Sequence, residues 1–258
     1  MGENTTTSSE AGQNEAQSPS GSRPTVDVVM PAFNEERSIG RVLNDVPRSV
    51  VRRIVVADNN STDATAEHAR EAGAIVVPAS RQGYGSACQV GVDHLRRNDP
   101  PDILVFLDAD YSDHPEELPQ VIAPIVENRA DAVIGSRVLG SRERGALLPQ
   151  ARAGNLFACW MIRVLYGHRY TDLGPFRAIR WDAYEQLGMR DPDFGWTAEL
   201  QVKALQHGLR VVEVPVSYRK RVGVSKITGT VSGTIRAGIK IITTILRYAW
   251  SGRRRTRR

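Results

Sequence analysis

The sequence is poor in cysteine, and it lacks a long uncharged apolar run and a repeated unit. Cys88 and Cys159 are the two cysteines among 258 residues. They lie far apart and without metal-ligand spacing, so free thiols in a reducing compartment are expected. The N-terminus lacks the apolar core of a secretory signal. No G-x-G-x-x-G follows the first strand-like run, which argues against a dinucleotide-binding oxidoreductase. The body of the chain also lacks a charge excess. The formal net charge is +5, and the closing "RRRTRR" holds five arginines, so the remainder is about neutral. A basic tail on a balanced domain does not give the broad basic face of a nucleic-acid-binding protein.

What is present falls into three parts. Residues 1–23 are rich in Ser, Thr, Gly, Glu and Gln and carry almost no large apolar group. Such a segment cannot offset its ordering entropy, so disorder is expected. Residues 24–226 alternate between two patterns. Strand-like runs stand at 26–30, 52–58, 74–77, 103–108 and 131–135, with helical patterns at 36–46, 63–73, 85–97 and 115–127 between them. The strands are short, rich in Val and Ile and continuous rather than alternating, which predicts a mostly parallel sheet covered on both faces. Beyond it the pattern is mixed, with helices at 150–167 and 197–208 and extended runs at 176–180 and 209–218. The third part, 227–258, is an amphipathic helix followed by the basic tail. Beta-alpha alternation of this kind predicts an α/β doubly wound fold, in which ligands bind beyond the carboxyl ends of the strands.

Three predicted strands end in polar groups. "PAFNEE" follows the first, "ADNNSTDAT" ends the second and "LDADYSD" ends the fourth. Asp63 is expected to cap the helix after the second strand, and Asp113 the helix near Pro115. Asp108 and Asp110 are different, because residues two apart on an extended segment point the same way. Two close carboxylates repel unless something positive separates them. Carboxylates with open positions suit Mg²⁺ or Mn²⁺, which complete their shells with water and phosphate oxygens.

These stretches occur in a recognisable order. "VVMPAFNEERSIGRVL", "VVADNNSTDATAEHA", "GYGSACQVGV", "LDADYSDHPEEL" and "DAVIGSR" resemble the successive motifs of the family 2 inverting glycosyltransferases, which have the GT-A fold. "DLGPFRAIR" and "EVPVSYRKRVGVSK" are similar to their polyprenyl-phosphate sugar synthases, typified by dolichyl-phosphate mannose synthase. The likeness runs from residue 25 to about 230.

The resemblance implies transfer of a hexose, with inversion, from a nucleotide sugar (UDP-glucose or GDP-mannose) to a polyprenyl phosphate. It implies that Pro31, Phe33, Glu35, Asp58 and Gly83 bind the nucleotide sugar. Asp108 and Asp110 would hold Mg²⁺ or Mn²⁺ against the diphosphate, with Ser112 as a weaker third ligand. Ser136, Arg137 and Arg152 would bind the acceptor phosphate, Arg137 as part of the catalytic set. Arg221, Ser225 and Lys226 would meet the diphosphate or the lipid head group. A phosphate nucleophile is already ionised and needs no general base, whereas a sugar hydroxyl does. The arginine-rich stretch after residue 135 therefore favours the phosphate. The alternative is a hydroxyl acceptor, with Asp172 or Glu199 nearby as an acid. A nucleotide-sugar sensor without turnover is a further alternative, against which the intact Asp108 and Asp110 weigh.

From Val231 onward apolar residues recur at helical spacing, while Arg236, Lys240 and Arg247 occupy another face. Three cations in twenty residues argue against a spanning helix. An interfacial helix is expected instead, with Tyr248 and Trp250 at head-group level and the tail drawn to anionic lipid. That places the protein in the cytoplasm, peripheral on the inner face of the membrane.

Overall fold

The computed structural model describes residues 23–223 and 231–255. The polar N-terminal stretch, Ser225, Lys226 and the last three residues lie outside the described residues. Seven strands form one sheet: β1 (Val26–Ala32), β2 (Arg53–Asp58), β3 (Ile75–Pro78), β4 (Ile103–Phe106), β5 (Ala132–Ser136), β6 (Arg177–Arg180) and β7 (Val211–Pro215). Their order is β3-β2-β1-β4-β6-β5-β7. Every neighbouring pair is parallel except those of β6, which runs against both β4 and β5. The doubly wound expectation therefore holds, with one reversed strand inside the sheet.

Helices cover both faces: α1 (Ile39–Asp45), α2 (Thr65–Glu71), α3 (Tyr84–Arg97), α4 (Leu118–Val126), α5 (Pro149–Tyr166), α6 (Trp181–Leu187), α7 (Trp196–Gln206) and α8 (Val231–Arg255). The period of two along each strand divides the core. Val28, Met30, Ile54 and Val56 pack with Val42 and Leu43 of α1 and with Leu118 and Val121 of α4. Val29 and Val55 turn the other way, to Cys88 and Val92 of α3 and Trp196 of α7. Each such fully buried aliphatic side chain contributes roughly 1.5–3 kcal/mol of transfer free energy. The fit of α3 on the sheet depends on Gly91, where a Cβ would stand 2.6 Å from the Val29 side chain. A third cluster, with Ile134, Ile162, Val202 and Ile245, binds α5, α7 and α8 to one another.

Two sequence expectations change here. Helix α6 lies on a stretch with no assigned element, although Ala183, Tyr184 and Leu187 recur at helical spacing and Gly188 ends it with φ of 54°. The pattern expected as one helix over 115–127 opens as a 3-10 turn at Pro115–Glu117, and α4 follows.

Candidate functional site

In a parallel region all strands end at one edge, so the tips of β1, β2 and β4 meet. The order also reverses at β1, whose neighbours β2 and β4 lie on opposite sides, and this opens a crevice. A cleft of about 340 Å³ fills it. Pro31, Phe33, Glu35, Gly83, Asp108 and Asp110 line it together. Asp58 does not. It sits at the β2 tip and accepts from the Ser61 N–H at 3.2 Å, while the next residue, Asn59, lines the cleft. Asn59 also fixes the α3 entry by accepting from the Gly83 N–H at 2.9 Å. Gly83, with φ of 148°, lies against the Pro192 carbonyl, where a side chain has no room.

The turn after β4 carries the acids. Tyr84 donates its hydroxyl to Asp108 at 3.1 Å. The Ser112 N–H and hydroxyl both donate to Asp110 Oδ1, at 2.9 and 2.5 Å. Ser112 therefore braces Asp110 and does not line the cleft. Between these residues Tyr111 adopts a left-handed backbone, with φ of 64°. Such a conformation costs on the order of 1–3 kcal/mol and persists only where the surroundings hold it. Here Tyr111 donates to Asp45 at 2.7 Å, and the Arg219 guanidinium lies 3.4 Å from its ring centre. The segment after β7 runs along this turn: the Arg219 N–H donates to the Ser112 carbonyl and the Val222 N–H to that of Asp110, each at 2.9 Å. That pairing delivers Arg221 into the cleft, 3.0 Å from Glu35 and 3.2 Å from Asp110. The "YRKR" run is thus fixed against the acids, with Lys220 exposed.

Among the described residues, Glu35, Asp108, Asp110 and Asp193 face this cleft against one cation, Arg221. Burial, and then the neighbouring charge of Asp110, raise the Asp108 carboxyl to about 7. A divalent ion suits such a pair. Among the described residues no three His, Cys, Asp or Glu side chains converge as a metal cage. Two hard oxygen ligands with open positions remain, the arrangement that Mg²⁺ and Mn²⁺ share with water and diphosphate. Asp113 corrects an expectation. It is 2% exposed, and among the described residues neither carboxyl oxygen has a hydrogen-bond partner, so it does not cap the following helix. His114 holds the capping position. Ala64 holds the cap position of α2, and Asp63, one residue earlier, accepts from the Thr65 N–H at 3.0 Å.

A second cavity, of about 530 Å³, meets the cleft at Tyr84, Asp108, Asp110, Phe194 and Arg221. Its far wall is apolar: Leu147, Leu148 and Ala151 at the start of α5, and Ala237 and Ile241 of α8. Among the described residues its cations are Arg137, Lys220 and Arg221, and its carboxylates are Asp108 and Asp110. Arg137 follows β5 and stands 5.0 Å over the Tyr218 ring. Its Nε and Nη2 each donate to Asp172 at 2.8 Å, and its backbone N–H does so at 2.9 Å. Burial would lower the Arg137 pKa, but the attraction and hydrogen bonds of Asp172 raise it above the ordinary value. Asp172, fully buried, thus positions an arginine. Its own backbone N–H donates to Glu213 at 3.0 Å.

The other expected acceptor residues sit elsewhere. Ser136 is fully buried, 2.6 Å from the Thr171 hydroxyl, and accepts from the N–H groups of Val138 and Leu139, so it shapes the turn that carries Arg137. Arg152 is exposed on α5 and does not line the cavity. Glu199 is fully buried and lines neither cleft. It accepts from Arg190 and Asp191 N–H groups, from Lys203 and, at 2.6 Å, from Tyr248. It anchors the 188–195 loop to α7 and α8, with the Tyr248 hydroxyl turned to this carboxylate. Sequence reasoning missed Tyr84, Asp193, Phe194 and Tyr218, all of which line the site. Tyr84 and Tyr218 lay within motifs already singled out. Asp193 and Phe194 lie in a Pro- and Gly-containing loop with no signal of its own. Both cysteines are buried free thiols, and burial raises Cys159 to about 12, so neither is a nucleophile at neutral pH.

Two converging clefts, one acidic at strand tips and one apolar with a held arginine, define an α/β group-transfer enzyme. Residues 27–188 match the Glycosyl transferase family 2 profile, and the chain belongs to that family. It is 40% identical over 214 residues to an uncharacterized glycosyltransferase of Mycobacterium tuberculosis strain H37Rv, covering 82% of this chain and 94% of that one. The undecaprenyl-phosphate mannosyltransferase of Micrococcus luteus is 30% identical over 250 residues, covering 88% and 96%. The fold matches glucosyl-3-phosphoglycerate synthase of Mycobacterium tuberculosis, in complex with Mn²⁺, UDP-glucose and phosphoglyceric acid. That match has a TM-score of 0.71 at 21% identity and covers 88% of this chain and 80% of that one. The sheet is of the GT-A type.

Proposed function

We propose that the chain transfers a hexose from a nucleotide diphosphate sugar to a polyprenyl phosphate, with inversion at the anomeric carbon. The observation that carries this reading is the composition of the second cavity. It offers an apolar wall and an arginine fork, and among the described residues that line it there is no carboxylate apart from the acidic pair to serve as base. A phosphate oxygen needs none. It attacks the anomeric carbon from the side opposite the diphosphate. The bond from that carbon to the diphosphate oxygen breaks, and the electron pair leaves with the nucleotide. No proton moves.

Asp108 and Asp110 would hold the divalent ion, with Ser112 bracing Asp110. When bound, the ion supplies Lewis-acid stabilisation of the leaving diphosphate. Arg221, already between Glu35 and Asp110, adds a second positive group on that side. Arg137, held by Asp172, presents its donors to the acceptor phosphate, for which a planar guanidinium is suited. Pro31, Phe33, Glu35 and Gly83 shape the nucleotide end, and Asp58 supports the β2 tip beside it. The Micrococcus luteus relative is named for an undecaprenyl-phosphate acceptor, and a dolichyl-phosphate hexose transferase of Haloferax volcanii is 33% identical over 202 residues, both in keeping with this reading.

We infer that the reaction runs at the inner face of the membrane, with the protein peripheral. Among the described residues no helix is long and apolar enough to cross a membrane. Helix α8 leaves Ile239, Leu246 and Trp250 exposed, and α5 leaves Leu156, Phe157, Trp160 and Val164 exposed at helical spacing. Both helices wall the cavity that would take the lipid. The test is a panel of UDP-glucose and GDP-mannose against a short-chain polyprenyl phosphate, with and without chelator. Transfer to the lipid that is lost on chelation is expected. Transfer to a sugar or phosphoglycerate hydroxyl with none to the lipid overturns the reading.

A further inference from the structure

A third cavity, of about 430 Å³, lies between the 188–195 loop and α8 and shares no lining residue with the two clefts. Arg190, Lys240 and Arg247 line it, and Asp191 is its one carboxylate among the described residues. That carboxylate is committed. Asp191 is 8% exposed, its Oδ2 lies 3.0 Å from Lys240 Nζ, and its Oδ1 accepts from the Asp193 N–H at 2.9 Å. The guanidinium groups of Arg190 and Arg247 are exposed and have no carboxylate or hydrogen-bond partner among the described residues. Lys240 and Arg247 stand seven residues apart on α8 and so share one flank of the helix. That flank adjoins the one that exposes Ile239 and Leu246. Three cations converging on a polar hollow, two of them unpaired, repel one another until an anion enters. Arginine forks select an anion with several oxygens.

We propose that this cavity binds a phosphate-bearing anion, gripped by Arg190 and Arg247 with Lys240 in reach. An anionic lipid head group and free phosphate share that chemistry. The site also touches the machinery of the donor cleft. The Asp191 carbonyl accepts from Gln89 at 3.4 Å and packs on Gly85, and the Pro192 carbonyl accepts from the Ser86 N–H at 2.8 Å. The next residues, Asp193 and Phe194, line the donor cleft. An anion that draws Lys240 from Asp191 therefore acts on the donor side. That consequence rests on the transferase reading; the binding itself does not.

The experiment uses the full chain and the double variant Arg190→Gln/Arg247→Gln, both surface changes. Inorganic phosphate binding is measured by calorimetry. Co-sedimentation is measured with phosphatidylcholine vesicles with and without phosphatidylglycerol. The wild type is expected to bind phosphate, to prefer the phosphatidylglycerol vesicles, or both, and the double variant to lose roughly tenfold or more in whichever is seen. Loss in the vesicle arm alone assigns the site to a lipid head group, and loss in the phosphate arm alone to free phosphate. Exposed Arg129→Gln, remote from the cavity, should leave both arms unchanged. If the double variant matches the wild type in both arms, the proposal is overturned, whatever the activity assays give.

Discussion

The cleft at the strand tips and the cavity beside it differ: chain leaving β1, β2 and β4 shapes the first, and the second adds chain entering β6 to residues that leave β5 and β7, Arg137 and Tyr218. The first is assembled where β1, β2 and β4 leave the sheet, so its groups lie a few residues beyond a strand. The second draws on chain entering it, because β6 is antiparallel and its approach, Asp172 to Phe176, arrives at the same edge. The electrostatics differ in the same way. Like charges crowd the donor side, where Asp110 helps to raise Asp108 to about 7. Opposite charges close on each other on the acceptor side, where Arg137 and Asp172 satisfy one another. Among the described residues the acids outnumber the cations in the first, whereas in the second Arg137 has a carboxylate partner.

The sharpest way to break this contrast is Asp110→Ala. It should lower kcat by at least ~10³-fold, on the scale of other lost electrostatic stabilisation of a leaving oxygen. The melting temperature should hardly move, because a repulsion is relieved as well as a bond lost. A protein that melts far lower would mean that the acidic pair is structural. Next in size is Arg137→Ala, which leaves Asp172 buried without its partner. Stability to urea should fall by about 3–5 kcal/mol. The acceptor KM should rise more than the donor KM, by roughly tenfold. Equal rises for both substrates would count against Arg137 as a ligand of the acceptor phosphate.

The smallest effect is on pH dependence, measured by urea unfolding in chelator. The Asp108 pKa in the folded chain lies near 7, against roughly 3.9 in the unfolded chain. Between those values the folded state binds the extra proton, so the Asp108 contribution to stability is full at low pH and is lost as pH rises toward 7. Asp108→Asn should flatten that part of the profile. An unchanged slope would place the donor-side strain elsewhere.

The same contrast explains what could be read in the sequence. The continuous β-branched runs made the parallel strands legible, and the switch point then placed Phe33, Glu35, Asp108 and Asp110 together. These residues are local to their strands, so a strand assignment is nearly a site assignment. The acceptor half depends on pairs far apart in the chain, and periodicity carries no information about them. Asp172 has no local signal that separates a base from a support, and its three bonds to Arg137 give it the second role. Glu199 and Tyr248 were expected at an acceptor and a membrane, and they hold each other. Asp113 had the spacing of a helix cap, yet the turn imposed by Tyr111 takes it inward. Phe194 had no local signature, because a loop residue gains a role only from the helix and strand tips that its fold brings near.

The apolar stripe of α5 has a practical consequence at the bench. Leu156, Phe157, Trp160 and Val164 form a greasy ridge that water wets poorly. In a detergent-free preparation the cheapest cover for that ridge is another copy of the same protein. Particle size, and any rate that depends on access to the neighbouring cavity mouth, should then vary with protein concentration and with the choice of surfactant. Assays run under different solubilising conditions would be sampling different accessible surfaces of one enzyme.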